Sequence, residues 1–336
     1  MKRVLLIDYY NLFIRNWTVI PLQNENGEHY GAVVGSLRSI KSIINRTKAT
    51  HVYVIKDGQK SALRRKMMLK EYKANRKKDW SRGACKVYDF LSEEEQQDNW
   101  NYQNHRLEEY FKILPFRTME IPYVEADDVI AEIAQTIQSD SQVIIYSTDA
   151  DYHQLINDNI LCFNPITKKL WTRDSFLETK GLLPDNYIYL KSIMGDTSDN
   201  IPKVKGIGEK TFLKLFKGLD YNILESVDEM FDICQHALDS SSKSYTPGQL
   251  NKYKLILENE DKIRLNYNLM QLHDVNISVQ SKDLIHKLIE SPPNSFNKMK
   301  LRFMFMEDGI HAHLHKFGDW SRTFTKVAIS GIMKGK

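Results

Sequence analysis

The stretch RVLLID (residues 3–8) is a short apolar run that ends in an aspartate. The same pattern returns in HVYVIKD (51–57) and in QVIIYSTDAD (142–151). Short apolar runs bounded by polar residues are typical of strands buried inside a sheet. We therefore predict three strands, over residues 3–7, 51–55 and 142–146.

Helical segments separate these strands. Apolar residues recur at helical spacing over 32–46 and 126–138. Strands that alternate with helices predict an α/β fold with a parallel sheet and right-handed crossovers. In such sheets the ligand site lies beyond the carboxyl ends of the strands. Four aspartates are expected at that edge: Asp8, Asp57, Asp149 and Asp151.

The charge is strongly segregated along the chain. The 336 residues carry 47 basic and 43 acidic side chains, a net charge of +4. Residues 60–82 nevertheless hold ten basic and two acidic residues, and residues 203–217 hold five lysines and one glutamate. One basic run is often a solvated helix face, but two such runs beside many carboxylates indicate a bound polyanion. No apolar stretch reaches the 18 residues of a membrane span.

The carboxylates near the predicted strand ends form the main candidate site. A single strand-end aspartate more often caps a helix, so their number carries the argument. Many carboxylates in one place repel one another unless hard cations neutralise them, and Mg²⁺ prefers oxygen ligands. We predict two Mg²⁺ ions, with Mn²⁺ as an acceptable substitute, and no zinc because the set lacks His and Cys. The set is Asp8, Asp57, Glu125, Asp127, Asp128, Asp149, Asp151, Asp196 and Asp199.

Six motifs over residues 1–215 resemble those of the structure-specific 5′ nucleases. This family contains flap endonucleases and the 5′→3′ exonucleases attached to bacterial DNA polymerases. The chain is most similar to the phage replication enzymes within it, such as the T-even phage RNase H. The motifs are LLIDYYNLF (5–13), VIKDG (54–58), YKANR (72–76), VEADDVIA (124–131), STDADYHQL (147–155) and GDTSDNIPKVKGIGEKT (195–211).

The resemblance implies the architecture and the roles of the site residues. It implies a PIN-like or resolvase-like nuclease core over 1–180, with an inserted helical arch at about 77–110. A helix-hairpin-helix (H3TH) region that grips duplex DNA, followed by a C-terminal region, would occupy 181–336. The inner metal set would be Asp8, Asp57, Glu125, Asp127, Asp149 and Asp151. The outer ligands would be Asp128, Asp196 and Asp199. Arg64 would contact the scissile phosphate, and Lys73 and Arg76 would form a basic pair at the base of the arch.

The glycine-rich segment KVKGIGEKT (203–211) is predicted to hold a phosphate of duplex DNA. Glu209 breaks a Walker A pattern, and Thr211 replaces the third glycine of a dinucleotide-binding motif. Two glycines let the backbone approach a phosphate, and a helix over 210–216 would offer free amides. The alternative is a purely structural helix start. The predicted DNA-binding residues are Lys203, Lys205, Gly206, Gly208, Lys210, Thr211 and Lys214.

These features predict a metal-dependent 5′→3′ exonuclease and flap endonuclease with RNase H activity. It would cut near 5′ ends at junctions between single and double strands and remove RNA primers during lagging-strand DNA replication. Expected partners are DNA and RNA–DNA junctions, with a single-strand-binding protein or a sliding clamp added by analogy. We expect a monomer in the cytoplasm, the host cytoplasm if the chain is from a bacteriophage. The alternatives are a catalytically silent junction-binding protein and a PIN-type ribonuclease acting on single-stranded RNA.

One motif lies outside this assignment. His311, His313 and His315 alternate, so on a strand they would share one face. A metal site and an ordinary surface strand are both compatible with that pattern.

Overall fold

A six-stranded sheet organises the first half of the protein. The computed structural model describes residues 1–76, 92–240, 245–313 and 316–332. The order across the sheet is β3-β2-β1-β4-β5-β6, and every pairing is parallel except that of β6 with β5. This confirms the predicted α/β fold with a mostly parallel sheet. The strands are β1 (Lys2–Asp8), β2 (His51–Lys56), β3 (Arg117–Glu120), β4 (Ser141–Tyr146), β5 (Ile160–Asn164) and β6 (Lys169–Trp171).

The register of the central strands sets the place of the candidate site. Asp8 pairs with Ile55 on β2, and Ile7 pairs with Tyr146 on β4. Strands β1, β2 and β4 therefore end at nearly the same level. The loops that follow them leave the sheet side by side, as the sequence pattern predicts.

Helices cover both faces of the sheet because alternate side chains of β1 point to opposite sides. Leu5 and Ile7 belong to one buried cluster, and Val4 and Leu6 belong to the other. The first cluster includes residues of α1 (Tyr9–Val19), α2 (Gly31–Thr47) and α4 (Glu93–Ile113). The second includes residues of α5 (Ala126–Ile137). A short helix α3 (Leu63–Met68) follows β2.

The second half is helical, as predicted. Helix α7 and helices of the 181–290 region extend the cluster that contains α5, and the last two helices pack on the α2 side. No helix among the described residues is long and apolar enough to cross a membrane. The helices are α6 (Arg173–Lys180), α7 (Tyr187–Met194), α8 (Glu209–Leu215), α9 (Val227–Asp239), α10 (Pro247–Leu257), α11 (Glu260–Met270), α12 (Val279–Glu290), α13 (Lys298–Glu307) and α14 (Phe317–Ile332).

Two sequence expectations meet the structure only in part. Helix α4 lies largely within the predicted arch, whereas residues 77–91, with the aromatics Trp80, Tyr88 and Phe90, fall outside the described residues. The strand considered for the histidine motif is wrong, because His311–His313 form a single 3-10 turn. His313 is hydrogen-bonded to the carbonyl of Gln23 at 2.8 Å, and His315 falls outside the described residues.

Candidate functional site

A cleft of about 340 Å³ opens beyond the carboxyl ends of β1, β2 and β4. It is lined by six carboxylates, named below, and by three cationic side chains, Arg15, Lys73 and Arg76. The cleft thus combines concentrated negative charge with a smaller number of cations, at the edge predicted for a ligand. Six of the nine predicted carboxylates line it: Asp8, Asp57, Asp127, Asp149, Asp151 and Asp199.

Backbone amides fix the first two carboxylates. Asp8 is the N-cap of α1, and its Oδ1 accepts a hydrogen bond from the Asn11 amide at 3.1 Å. Asp57 Oδ1 accepts one from the amide of Ala126, the first residue of α5, at 2.7 Å. The helix-capping alternative therefore holds for Asp8, and it does not remove that residue from the cleft. A cap also orients the carboxylate.

The loop after β4 delivers two more carboxylates. The Ser147 hydroxyl accepts from the Asp149 amide at 3.1 Å, and Asp149 Oδ1 accepts from the Asp151 amide at 2.9 Å. Asp151 lies 2.9 Å from the ammonium of Lys191 on α7. Because Lys191 is also 2.9 Å from Asp196, one partly buried lysine joins this loop to the 195–201 loop.

Behind the cleft lies an ion cluster around Arg65. Its guanidinium is 2.9 Å from Asp128 and 3.3 Å from Asp127, and it also pairs with Glu125. Carboxylate oxygens of these three acids lie within 4.8 Å of one another. Glu125 and Asp128 are buried and do not line the cleft. Arg65 therefore neutralises these three acids from inside the protein.

Two basic residues of the YKANR motif connect this cluster to the cleft. Lys73 pairs with Glu125, and Arg76 pairs with Asp199. The hydroxyl of Tyr72 lies 3.3 Å from Asp199. Lys73 and Arg76 line the cleft, whereas Arg64 contacts Asp128 at 3.0 Å and is not among the described lining residues.

The acids differ in how their charge is balanced. Burial, reinforced by the charges of Asp57, Asp149 and Asp127, raises the pKa of Asp8 to about 7. Burial and the charge of Asp149 raise the pKa of Asp151 to about 7, despite Lys191. Burial also acts on Asp127, but Arg65 and Lys73 outweigh it and hold the pKa below its usual value. The cleft thus carries negative charge that the protein's own cations leave partly uncompensated.

The predicted phosphate-binding segment forms a compact turn before α8. Gly206 has a φ of +90°, and Gly208 is the N-cap of α8. Ile207, Phe212 and Leu215 are buried and anchor the turn. The four lysines predicted to bind DNA, Lys203, Lys205, Lys210 and Lys214, are exposed, and Thr211 is partly exposed. The helix begins at Glu209, one residue earlier than predicted.

Sequence reasoning missed several residues of this site. Arg65 and Lys191 are the main ones, because only their tertiary partners distinguish them from other basic residues. Lys252 of α10 is another, since its ammonium lies 3.3 Å from the point where a Cβ on Gly206 would stand. Tyr10 and Asn11 also line the cleft, and both lie inside the quoted LLIDYYNLF motif.

Comparison with known proteins identifies the family. The model described as "5'-3' exonuclease, N-terminal resolvase-like domain" matches residues 3–181. The model described as "5'-3' exonuclease, C-terminal SAM fold" matches residues 182–291. Because the first match alone spans more than half of the 336 residues, the chain belongs to the 5′–3′ exonuclease family. The predicted family and fold class are therefore confirmed, and the protein is a nuclease by family.

Individual relatives agree with this result. A 5'-3' exonuclease of Buchnera aphidicola (subsp. Schizaphis graminum) is 32% identical over 240 residues, which cover 68% of this chain and 76% of the relative. The 5'-3' exonuclease of Aquifex aeolicus is 26% identical over 310 residues, covering 91% and 93%. DNA polymerase I of Bacillus subtilis is 33% identical over 242 residues. That match covers 68% of this chain but only 25% of the polymerase.

The fold has a solved counterpart in the bacteriophage T5 D15 flap endonuclease, in a complex with DNA and metal ions. The TM-score is 0.64 at 23% identity, covering 86% of this chain and all of the T5 chain. A T5 5'-exonuclease structure with bound zinc gives a TM-score of 0.63 at 24% identity, covering 86% and 99%. At this identity the likeness establishes the shared fold.

Proposed function

We propose that the protein is a divalent-metal-dependent nuclease that hydrolyses phosphodiesters near 5′ ends, at junctions between single and double strands. The observation that carries the proposal is the convergence of six carboxylates on one cleft that also presents Lys73 and Arg76. Carboxylates suit cations, and lysine and arginine suit phosphate, so the cleft fits a phosphodiester held beside metal ions.

The donor set fits hard divalent cations. Among the described residues, those that line the cleft include neither His nor Cys, so oxygen ligands dominate. Burial and the neighbouring carboxylates raise the pKa values of Asp8 and Asp151, and bound cations would favour the ionised forms of these acids. The six aspartates that line the cleft would hold the ions: Asp8, Asp57, Asp127, Asp149, Asp151 and Asp199. We propose Mg²⁺, with Mn²⁺ as a substitute. When bound, such ions activate water and stabilise the leaving oxygen.

The protein's own residues then hold and orient the phosphate. Lys73 and Arg76 are each anchored by a carboxylate, so their positions are fixed before the substrate arrives. They would neutralise the phosphate as water attacks the phosphorus in line and the 3′ oxygen departs. Arg65 lies too deep to touch the substrate. Its role, with that of Arg64, would be to hold Glu125 and Asp128 in place.

The turn at 203–211 would grip duplex DNA. Its lysines are exposed and its apolar residues are buried, so a basic surface stands on a rigid base. Such contacts give affinity that is independent of base sequence and falls steeply with salt. The region 181–336 would therefore bind the duplex, while the core over 1–180 cuts.

The resemblance to this family supports a finer proposal. We propose exonuclease, flap endonuclease and RNase H activities on DNA and RNA–DNA junctions, releasing short 5′-phosphate fragments. Removal of RNA primers during replication is the corresponding biological role. A phage origin, a cytoplasmic site of action, a monomeric state and contacts with a single-strand-binding protein or sliding clamp belong to the same proposal.

The test is cleavage of a labelled 5′-flap duplex in Mg²⁺ by the wild type and by Asp149→Asn plus Asp151→Asn. The wild type should release short 5′ fragments, and the variant should bind the flap without cutting. A matched control, Asp158→Asn plus Asp220→Asn, removes two exposed carboxylates outside the cleft and should cut normally. Binding without cutting by the wild type would identify a silent junction-binding protein. Faster cutting of unstructured RNA would favour a PIN-type ribonuclease.

A further inference from the structure

An isoleucine on the rim of the cleft has no role in holding metal or phosphate. Ile166 lines the cleft together with Asp149 and Asp151, and it is 68% exposed. Ile14 on α1 also lines the cleft and is 46% exposed. Exposure of these large apolar side chains to water is unfavourable in the free protein. An apolar surface that covered them would lower the free energy by removing them from water.

Ile166 stands on a rigid support. It lies at the tip of the hairpin formed by β5 and β6, where Asn164 pairs with Lys169. The side-chain oxygen of Asn164 accepts hydrogen bonds from the amides of Ile166 at 2.9 Å and Thr167 at 3.1 Å. These two bonds fix the turn. Because the tip is fixed, the isoleucine is already in position before any substrate arrives.

The ligand beside it has one large apolar surface. In the proposed function, Lys73, Arg76 and the ions held by the carboxylates would engage the phosphate. The sugar and the base attached to that phosphate remain, and the base has an apolar face. Isoleucine side chains pack against or between bases in nucleic-acid complexes. Since isoleucine has no hydrogen-bonding group, such a contact would tolerate every base.

We propose that Ile166 packs against the base of a nucleotide next to the scissile phosphate and helps to hold that nucleotide in the cleft. The inference rests on the proposed nuclease function and adds a substrate-contacting residue to it. It assigns a binding role to the β5–β6 hairpin, outside the carboxylates and the basic residues of the site.

The experiment is a double-mutant cycle that combines Ile166→Ala in the protein with removal of a base from the flap. Single-turnover cleavage and flap binding are measured for the wild type and Ile166→Ala. The substrates are an intact 5′ flap and flaps with an abasic site at each nucleotide flanking the scissile bond. On the intact flap, Ile166→Ala should weaken binding or cleavage about tenfold, a plausible loss for three carbons removed from a contact. On the flap that lacks the contacted base, the same substitution should have no further effect.

Three controls separate a contact from a structural defect. Ile166→Leu should restore most of the activity. Ile329→Ala, an isoleucine on α14 that is 46% exposed and distant in sequence, should behave as the wild type. The melting temperature of Ile166→Ala should match the wild type, because the side chain is exposed. Ile166→Ala effects of equal size on intact and all abasic flaps, or no effect on any, would overturn the inference. A wild type that binds but does not cut would contradict the proposed function, while the binding cycle would still test Ile166.

Discussion

At the scale of single residues, Arg64 and Arg65 show how burial separates two neighbours that look identical in the sequence. The side chain of Arg65 is 2% exposed and contacts three carboxylates. The side chain of Arg64 is 27% exposed and contacts only Asp128 among those acids. Arg65 therefore acts inside the protein, whereas Arg64 is at its surface.

Arg65→Met should destabilise the protein by about 3–5 kcal/mol, because it leaves Glu125 and Asp128 buried without their main cation. Arg64→Met, the matched neighbour, should cost about 1 kcal/mol or less. Urea unfolding with a chelator present measures both without interference from metal ions. Equal losses for the two variants would show that the Arg65 cluster does not carry the stability assigned to it.

His153 gives a pH-dependent prediction. Burial among Trp171, Phe176 and Tyr187, together with nearby lysines, lowers its pKa from 6.5 to about 4. The unfolded chain therefore takes up this proton first as the pH falls below about 6.5, and the folded state loses stability. At pH 5 the loss from this group should be about 2 kcal/mol relative to pH 7.5.

His153→Phe should remove that part of the acid sensitivity, since phenylalanine fits the aromatic surroundings without a titrating group. Urea unfolding at pH 7.5 and pH 5 measures the difference. His236→Phe replaces an exposed histidine and should keep the wild-type pH dependence. If the free energy of unfolding changed between pH 7.5 and pH 5 by the same amount in His153→Phe as in the wild type, His153 would not contribute to the pH dependence.

At the scale of elements, sequence patterns predicted three of the six described strands and missed the interior strand β5 and both edge strands, β3 and β6. Strands β1, β2 and β4 are buried apolar runs, and their carboxylates were correctly expected at one edge. Strand β3 has the sequence RTME with a single buried residue, and β6 has three half-buried residues, so neither has a strand pattern. Such edge strands form because a neighbour offers backbone hydrogen bonds, which no local pattern records.

The turn before α8 supplies a matched pair of glycines. Gly206→Ala should cost about 1–2 kcal/mol of stability, because its φ of +90° is strained for alanine and the new methyl group would press on Lys252. Gly208→Ala should cost less, about 0.5–1 kcal/mol, because alanine is a poorer N-cap than glycine, whereas the φ of −116° and the absence of described atoms within 4 Å of the new Cβ add no strain.

The effects of the two glycine substitutions on DNA affinity should not follow their effects on stability. If a duplex phosphate approaches the backbone at Gly208, the added methyl group should weaken duplex binding several-fold, while the melting temperature falls less than in Gly206→Ala. Fluorescence anisotropy with a labelled duplex at two salt concentrations measures this. Unchanged affinity of Gly208→Ala would remove Gly208 from the predicted DNA-binding residues.

At the scale of the whole molecule, the carboxylates of the cleft lower the stability of the metal-free protein. Sequence could locate these acids, but their raised pKa values follow from burial, which only the assembled fold produces. Ionised Asp8, Asp149 and Asp151 raise the free energy of the metal-free folded state. The unfolded chain does not bear this cost, because its carboxylates are solvated. Since these pKa values lie above the usual value of 3.8, these groups should reduce the stability of the metal-free protein as the pH rises from about 4 through about 7.

The order of stability of the wild type and of Asp149→Asn plus Asp151→Asn should therefore depend on whether Mg²⁺ is present. In a chelator at pH 8, Asp149→Asn plus Asp151→Asn should be more stable than the wild type, because it removes two carboxylates whose ionised forms are unfavourable beside the other acids of the cleft. In Mg²⁺ the order should reverse, because an ion that binds only the folded state stabilises the wild type by about 2.7 kcal/mol at a hundredfold excess over its Kd. Urea unfolding with and without Mg²⁺ measures the reversal independently of cleavage. Asp158→Asn plus Asp220→Asn should respond to Mg²⁺ as the wild type does. If Mg²⁺ stabilised all three proteins equally, the ions would be binding outside this cleft, and the carboxylates would have another role.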